Sequence, residues 1–253
     1  MNRYDKYKPT DIEWIGEIPE HWELKKLKFV GEAIIGITYS PDNISNEENG
    51  ILVLRSSNIQ NGKLDFEDCV FVNKEIKKKH FVKTEDILLC ARNGSANLVG
   101  KCAIITDENT NVTFGAFMSV FRSSIGKFAY HFFNSQIFKS QTVLFFTSTI
   151  NQLTSDTLNN LFVPLPPAEE QTTIANYLDE KIAQIDKPIA NKQTLIELLK
   201  EERTAVINNI VNDTGKNWER KKLKYLVKDK LKYGANEPSE FENDKDPPLY
   251  KNN

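Results

Sequence analysis

The sequence predicts an α+β fold in which a β-rich domain with packed helices precedes one long helix of the coiled-coil type. Short apolar or alternating segments separated by turn residues fill residues 1–163. An apolar heptad pattern then runs from about residue 171 to 211. An eight-residue segment, WELKKLKF (22–29), returns as WERKKLKY (218–225), which predicts a short, incomplete second repeat after the helix.

The overall composition excludes several classes of protein. The 253 residues carry 33 Lys and Arg against 35 Asp and Glu, so any affinity for nucleic acid must come from local patches. The three cysteines, Cys69, Cys90 and Cys102, form no C-x-x-C pair, which argues against a disulfide framework or a zinc knuckle. A polar N-terminus and the lack of an 18-residue apolar run predict a cytoplasmic protein without a membrane segment.

The strands of the first domain are predicted from apolar runs that end at turn residues. VLRSSNI (53–59) leads into a turn at 60–62, and DILLCARNGS (86–95) and VGKCAIITDE (99–108) indicate two further strands. FGAFMSVF (114–121) has the length of a buried strand. Aromatic residues spaced by three and four between Phe128 and Phe146 predict a helix packed on this sheet.

The long helix is predicted to start after PLPPAEEQ (164–171), because proline stops a strand and glutamates suit a helix N-terminus. Roughly 40 helical residues would span about 60 Å, so the apolar stripe needs a partner. Pro188 predicts a bend near Asp186. The residues expected to pair helices are Leu178, Ile182, Ile185, Ile189, Ile196, Leu199, Val206 and Ile210.

The two copies of the repeat share six of eight residues, so chance is a poor explanation. The repeat divides the chain into a β-rich domain (1–163), a linker with the long helix (164–214) and the start of a second domain (215–253). The acidic run at 237–246 is expected to form a solvated loop or tail.

Two motifs suggest catalysis, but neither has a complete pattern. DPPLY (246–250) is similar to the D-P-P-Y motif of amino-methyltransferases, but Leu249 breaks its spacing and no Gly-rich loop lies upstream. Pro41-Asp42 with Glu75-Ile76-Lys77 resembles a metal-nuclease pattern, in which carboxylates bind Mg²⁺, and such matches often arise by accident. The histidines are scattered along the chain. We therefore expect no catalytic residue, metal site or cofactor in this chain.

Polar side chains at the predicted strand ends are of the types that bind DNA. Arg pairs with guanine, Asn with adenine, and Ser or Lys with bases or phosphates. The alternative is that these residues only form turns. The expected contacts, in which the three consecutive lysines meet phosphates, involve Arg55, Ser56, Ser57, Asn58, Lys77, Lys78, Lys79, Arg92, Asn93, Ser95, Asn97 and Lys101.

Several long segments resemble the specificity (S) subunits of type I restriction-modification systems. They are YKPTDIEWIGEIPEHWELKKL, LRSSNIQNGKL, DILLCARNGSANLVGKCAII, LFVPLPPAEEQTTIANYLDEKIAQID and LIELLKEERTAVINNIV. The resemblance implies that residues 1–163 are a target-recognition domain, which reads half of a split double-stranded DNA site. It also implies that the helix after each such domain pairs with its counterpart as a ruler.

The resemblance further implies a non-catalytic role within a larger complex. Methyltransferase (M) subunits holding S-adenosylmethionine dock on the helices, and restriction (R) subunits using ATP and Mg²⁺ join them. Such a complex is a site-specific deoxyribonuclease and adenine-N6 DNA methyltransferase. With one recognition domain, we expect a homodimer formed through the long helix. The alternative is a remnant that titrates methyltransferase subunits without reading DNA.

Overall fold

The computed structural model describes residues 4–143, 145, 151–212 and 221–227. The predicted α+β fold is confirmed. The strands are β1 (Tyr7–Pro9), β2 (Glu17–Pro19), β3 (Glu23–Lys26), β4 (Gly31–Ile35), β5 (Ile44–Ser45), β6 (Ile51–Leu54), β7 (Ile59–Gln60), β8 (Lys63–Leu64), β9 (Phe71–Val72), β10 (Ile87–Cys90), β11 (Cys102–Ile104), β12 (Thr113–Phe114), β13 (Met118–Ser123) and β14 (Phe162–Leu165). The helices are α1 (Gly126–Phe133), α2 (Gln136–Val143), α3 (Ser155–Asn160) and α4 (Ala168–Val211).

A four-stranded antiparallel sheet, in the order β11-β10-β13-β4, lies at the centre of the first domain. Its inner strand β10 is buried on both faces. Ile87 and Leu89 pack in one cluster with residues of α1, α2 and α3, while Leu88 and Cys90 pack in another cluster with residues of β6 and β12. A strand covered on both sides has an unbroken apolar sequence, which explains why DILLC does not alternate.

A second sheet, in the order β12-β6-β9-β5, contains the one parallel pair of named strands among the described residues. β12 and β6 run side by side with Thr113 opposite Val53 and Phe114 opposite Leu54. Because parallel strands end at the same edge of a sheet, the residues that follow them emerge together. The chain after Leu54 and the chain after Phe114 therefore meet at one edge.

A close backbone crossing fixes the turn after β12. Ile37 forms an isolated parallel bridge with Gly115, and a Cβ atom added at Gly36 would collide with the carbonyl oxygens of Gly115 and Phe114. Glycine is therefore required at position 36 for this approach. As a result, FGAFMSVF is not the single buried strand expected from its apolar run. β12 ends at Phe114, a turn follows, and β13 begins at Met118.

The turn predicted at 60–62 is confirmed. β7 and β8 form a hairpin in which Gln60 pairs with Lys63, and Asn61 and Gly62 have positive φ values of 51° and 76°. This is the conformation that an Asn-Gly turn between two strands requires.

The aromatic region forms two helices on the sheet instead of the single helix predicted. α1 ends at Phe133, and the hydroxyl of Ser135 accepts a hydrogen bond from the backbone N–H of Phe138 in α2, at 3.3 Å. The rings of Phe133 and Phe138 lie 4.9 Å apart, and Phe121 of β13 lies 5.2 Å from Phe133. The prediction that aromatic residues form a core on the sheet is confirmed for Phe132, Phe133 and Phe138. Phe145 is 44% exposed, and Phe146 lies outside the described residues.

α4 begins close to the predicted position and is continuous through Pro188. The bend expected near Asp186 stays a prediction. The chain divides into two units, Met1–Pro188 and Ile189–Asn253, with the boundary inside this helix. Among the described residues, no helix has the combination of length and hydrophobicity that a membrane crossing needs.

The sequence repeat has a structural counterpart. Leu27–Phe29 forms a 3₁₀ turn in which the N–H of Val30 bonds to the carbonyl of Leu27, and Leu223–Tyr225 forms the same turn with Leu226 bonded to Leu223. Leu27 is fully buried, whereas Leu223 is 62% exposed. The start of the second copy, the acidic run at 237–246 and DPPLY lie outside the described residues.

Candidate nucleic-acid interface

Three segments meet where β6 and β12 end. The N–H of Gly115 donates to the carbonyl of Leu54 at 3.0 Å, which holds the turn after β12 against the chain leaving β6. The carbonyl of Phe117 accepts hydrogen bonds from the N–H groups of Ala91 and Arg92, at 2.9 and 3.0 Å, which brings in the chain leaving β10. Two of the predicted polar segments, around residues 55–58 and 92–97, are thereby placed side by side.

The segments that follow β6 and β12 line an open groove of about 620 Å³, and the segment that follows β10 lies beside it. The groove is lined by polar or charged side chains, Arg55, Ser56 and Ser57. It is also lined by two aromatic side chains, Tyr39 and Phe117. Across the groove edge, the amide nitrogen of Asn93 lies 3.4 Å from the hydroxyl of Ser56. The groove therefore offers hydrogen-bonding groups next to apolar rings, which is the combination needed to contact base edges.

Two arginines, Arg55 and Arg92, are predicted to read bases, and Arg92 is the one with an exposed side chain. Its guanidinium carbon lies 5.4 Å from the centre of the Phe117 ring, a cation–π contact. Within the described part of the chain its guanidinium has no hydrogen-bond or ion-pair partner, so its N–H groups are available to a ligand.

Arg55 is held more tightly. Its guanidinium forms an ion pair with Asp68 at 2.7 Å and a hydrogen bond to the Asp68 carbonyl at 3.3 Å. Its Nε atom is buried without a hydrogen-bond partner among the described residues. Because Asp68 is mostly exposed, a ligand that offers two acceptors to Arg55 must displace this carboxylate or share the guanidinium with it.

Asn58 lies beneath the groove and is fully buried. Its amide oxygen accepts from the N–H of Arg55 at 2.9 Å, and its amide nitrogen donates to the carbonyls of Asp65 and Asp68, at 2.9 and 3.0 Å. Both amide N–H groups are therefore used inside the protein. In this structure Asn58 shapes the loop and presents no amide group at the surface.

The loop after Arg92 carries the remaining predicted base contacts. The side-chain oxygen of Asn93 accepts from the N–H of Ser95 at 3.0 Å, and a 3₁₀ turn follows at Ala96–Leu98. Ser95 and Asn97 are exposed on this turn. Asn93 is thus partly engaged in turn formation, as the turn alternative expects, whereas Ser95 and Asn97 have side chains open to solvent.

Lys101 joins the predicted site through the β7–β8 hairpin. Its ammonium group donates to the carbonyl of Ile59 at 3.0 Å. It lines a larger groove, of about 880 Å³, together with Gln60, Asn61, Asn97 and Lys139. This groove extends the polar surface from Asn97 toward α2.

The three predicted phosphate-binding lysines, Lys77 to Lys79, are exposed on a loop that a buried ion pair supports. Arg122 binds the buried carboxylate of Asp86 through two nitrogens, with a shortest distance of 2.6 Å. The same guanidinium donates to the carbonyls of Lys79 and Phe81. The backbone of the lysine loop is therefore fixed, while its ammonium groups remain in solvent.

His80 follows Lys79 directly, and the charges of the neighbouring lysines affect its pKa. Partial burial and the positive charges of Lys79 and Lys77 lower the pKa of His80 below its usual value of 6.5. Its ring lies against Phe114, and its carbonyl accepts a hydrogen bond from the Thr113 hydroxyl at 2.8 Å. His80 is therefore positioned to report on charge that arrives near these lysines.

The first turns of α4 are attached to the recognition domain around one carboxylate. Glu170 accepts hydrogen bonds from Trp22 Nε1 at 3.0 Å and the Tyr4 hydroxyl at 2.9 Å, and its other oxygen lies 2.6 Å from His21 Nε2. Burial alone would raise the pKa of Glu170, but these hydrogen bonds outweigh it and lower that pKa. A second attachment lies at Asp179, 2.8 Å from the nearly buried ring of His131.

Beyond these attachments the apolar face of α4 is uncovered. Leu178 is half-buried, whereas the other residues predicted to pair helices are between 42% and 59% exposed: Ile182, Ile185, Ile189, Ile196, Leu199, Val206 and Ile210. The predicted pairing of these residues with a second helix stays a prediction.

Among the residues that the structure describes, the cysteines and acidic side chains that could support other chemistry are not grouped into a site. Cys90 and Cys102 are buried, and burial raises the pKa of the Cys102 thiol to about 12. Asp42 and Glu75, from the nuclease-like pattern, are exposed. In the part of the chain that the structure describes, no three His, Cys, Asp or Glu side chains are grouped closely enough to hold a metal ion.

Sequence reasoning missed Phe117, which lies at the centre of this surface and is 61% exposed. Its position inside an apolar run indicated a buried strand residue. The available signal was Gly115, two positions earlier, because glycine inside a strand pattern often marks a break or a close backbone approach.

Comparison with known proteins identifies the family to which this surface belongs. Residues 19–200 match the family model described as type I restriction modification DNA specificity domain. The chain belongs to this family. The matched region contains the whole groove and most of α4, so the candidate residues above lie within the specificity domain.

Among relatives, the specificity subunit of the type I restriction enzyme EcoKI of Escherichia coli K12 is 32% identical over 204 residues, covering 78% of this chain. The StySPI specificity subunit of Salmonella potsdam is 31% identical over 206 residues, covering 79%. This chain spans 44% of the length of each of these specificity subunits.

Solved structures show the same fold. One chain, from a study of the "complex assembly and conformational transition of the type I R-M system", matches with a TM-score of 0.61 at 19% identity, covering 76% of this chain and 46% of that chain. The HsdS subunit from Thermoanaerobacter tengcongensis matches with a TM-score of 0.53 at 18% identity, covering 71% and 41%. The specificity-domain fold is therefore common to these proteins.

Proposed function

We propose that this chain is the DNA sequence-specificity subunit of a type I restriction-modification complex and reads one half-site of a split DNA target. The observation that carries this proposal is the convergence of Arg55, Ser56, Ser57 and Arg92 around Phe117 at the common end of β6 and β12. An exposed arginine with available N–H groups can pair with guanine, and the neighbouring hydroxyls can contact bases or phosphates.

Affinity for any duplex is assigned to a separate region. Lys77, Lys78 and Lys79 are exposed on a supported loop and carry three positive charges on a chain with a net charge of −2. Phosphate contacts position a protein on DNA without selecting sequence. We assign this role to the three lysines and base selection to the groove.

The role proposed for α4 is scaffolding. Its first turns are attached to the recognition domain through Glu170 and Asp179, while Ile189, Ile196 and Leu199 remain about half-exposed. An apolar stripe of this length favours helix pairing. We infer that α4 pairs with a second copy of the chain and that methyltransferase subunits dock on the paired helices. Restriction subunits complete the complex.

In this proposal the chain itself is non-catalytic. S-adenosylmethionine, ATP and Mg²⁺ are held by the partner subunits, as the family resemblance implies, and this chain selects where they act. A self-paired chain carries two identical readers related by a two-fold axis, so it selects a palindromic split sequence.

The test is to co-express the chain with a cognate methyltransferase subunit and to map adenine methylation across the genome. A methylated split motif that changes when Arg92 is replaced by alanine is the expected result. If a complex with the methyltransferase subunit forms but no adenine is methylated, the reading role is wrong, and the chain acts as an interaction module instead. A matched control is Lys63→Ala. Lys63 is exposed, its ammonium group lies 3.7 Å from the Asp186 carboxylate, and it lines neither of the two grooves described above.

A further inference from the structure

We propose that Phe117 contacts the 5-methyl group of a thymine adjacent to the guanine bound by Arg92, so that the two side chains together select neighbouring bases. This inference rests on the proposed function and assigns a base-reading role to a residue outside the set of polar side chains that sequence patterns indicate.

The placement of Phe117 is fixed by the backbone. A turn closes between Gly115 and Met118, with a hydrogen bond of 2.8 Å from the Met118 N–H to the Gly115 carbonyl, and Phe117 lies at its tip. The Phe117 carbonyl takes two hydrogen bonds, from the N–H groups of Ala91 and Arg92. The two side chains are thereby held next to each other before any ligand binds, which reduces the entropy lost on binding.

A single exposed phenylalanine needs no explanation, because many surface atoms of a folded protein are apolar. The distinguishing feature here is its surroundings. Phe117 lines the groove that also contains Arg55, Ser56 and Ser57, and its ring packs against a guanidinium that has no other partner in the described chain. An apolar group is therefore placed among hydrogen-bonding groups at the point where base edges would lie.

The chemistry of the DNA major groove identifies what such a ring can contact. Base edges there offer hydrogen-bond donors and acceptors, and their one apolar group is the methyl of thymine. Arginine pairs with O6 and N7 of guanine through the edge of its guanidinium. The cation–π contact of Arg92 uses none of its N–H groups in a hydrogen bond, so they stay available, and guanine with an adjacent thymine methyl suits the pair.

Insertion of the ring between base pairs is the competing mode, and the geometry favours it less. An inserted ring must be stacked on both faces, but the Arg92 guanidinium already lies over the Phe117 ring, at 5.4 Å from its centre. Contact between the ring and a methyl group leaves the cation–π contact intact. The small neighbours Gly115 and Ala116 allow the edge of a duplex to approach the turn closely.

The experiment uses the complex of this chain with its methyltransferase subunit and selects bound sequences from randomised duplexes. The unmodified chain is compared with Phe117→Ala and Arg92→Ala. We expect Arg92→Ala to lose the preference for guanine at one position and Phe117→Ala to lose the preference for thymine at the neighbouring position. Phe29→Ala is the matched control, because Phe29 is 70% exposed, lies 5.1 Å from the Lys28 ammonium and does not line the groove.

The second measurement replaces the selected thymine with uracil, which removes only the methyl group. The unmodified complex is expected to bind the uracil duplex about three to four times more weakly, from the free energy of burying one methyl group. The Phe117→Ala complex is expected to bind both duplexes equally, and Phe29→Ala should behave like the unmodified chain.

Equal binding of both duplexes by the unmodified complex overturns the inference and leaves the proposed function in place. Loss of DNA bending in Phe117→Ala, with uracil tolerated by the unmodified complex, also overturns it, because the ring is then a wedge. Selection of no sequence at all by the unmodified complex overturns the proposed function together with this inference.

Discussion

His131 on α1 and Asp179 on α4 form the contact that joins the helical layer of the recognition domain to the long helix. Their Nε2 and Oδ1 atoms are 2.8 Å apart, and the His131 side chain is only 7% exposed, whereas that of Asp179 is 48% exposed. Because one partner is buried, removal of the other leaves a ring nitrogen without a hydrogen bond inside the protein. The contact is therefore expected to matter more than an exposed ion pair does.

Asp179→Ala should destabilise the attachment of α4 by about 1–3 kcal/mol, the usual penalty for an unsatisfied buried polar group. Thermal unfolding and hydrogen exchange of residues 175–185 measure this effect. Lys63→Ala is the control, because Lys63 on β8 contacts Asp186 of the same helix at 3.7 Å and both side chains are at least half-exposed. That change should cost less than about 1 kcal/mol. Equal effects of the two substitutions would contradict this view of His131.

Asn58→Ala should act on stability, because the carbonyls of Asp65 and Asp68 would lose their buried donor. We expect a loss of about 1–3 kcal/mol in the free energy of unfolding, measured with denaturant. Arg92→Ala, at an exposed position, should leave unfolding nearly unchanged and alter the DNA preference instead. If Asn58→Ala folds as stably as the unmodified chain and relaxes the motif at one position, Asn58 reads a base after all.

Asn58 and Phe117 illustrate which parts of the site could be predicted from the sequence and which could not. The strand of residues 87–90, the Asn-Gly turn and the start of α4 follow from local patterns, since each depends on neighbours within a few positions. The role of Asn58 depends on carbonyls that return seven and ten residues later. Gly115 signals a break in the apolar run, but the exposure of Phe117 also depends on the parallel pairing of β12 with β6, about 60 residues away in the chain.

Replacing Lys77, Lys78 and Lys79 with glutamine should weaken binding to every duplex by a similar factor. Each lost phosphate contact removes counterion release, so the slope of log affinity against log salt should fall by about 1 per contact. Binding of matched and scrambled duplexes at several salt concentrations measures both quantities. Retention of the full salt slope, or a loss confined to the matched duplex, would contradict the assignment of these lysines to phosphates.

His80 should take up a proton when DNA binds. In the free protein, partial burial and the charges of Lys79 and Lys77 lower the pKa of His80. Phosphates bound by those lysines would offset the positive charge and raise that pKa toward or above its usual value of about 6.5. Because the bound state then holds the proton more tightly, affinity should increase as the pH falls through the interval between the two pKa values and level off below it.

The ring resonances of His80, followed by NMR from about pH 5 to 8 with and without duplex, test this directly. His80→Gln should remove the dependence of affinity on pH over that interval, while His21→Gln should keep it, since His21 lies beside Glu170 at the start of α4. An unchanged His80 pKa in the complex would show that phosphates do not approach Lys77 and Lys79.

Self-association should depend on the uncovered apolar face of α4. Ile189 and Leu199 are 59% and 52% exposed and are spaced to lie on one seam. Replacing both with aspartate should convert a dimer to monomers, because each buried aliphatic side chain contributes about 1.5–3 kcal/mol and each aspartate would add a buried charge. Asn191→Asp, a charge of the same sign on the same helix outside that seam, should leave the dimer intact.

Sedimentation velocity at micromolar concentration measures the association state, and circular dichroism confirms that helix content is retained. The physical basis is that a long α-helix with an exposed apolar stripe gains free energy only by burying that stripe, and a second copy presents the same residues in the same spacing. A monomeric, fully folded unmodified chain would exclude self-pairing. A dimer that persists in the double aspartate variant would instead place the contact on another surface, and the palindromic methylation motif expected from a two-fold axis would then lose its structural basis.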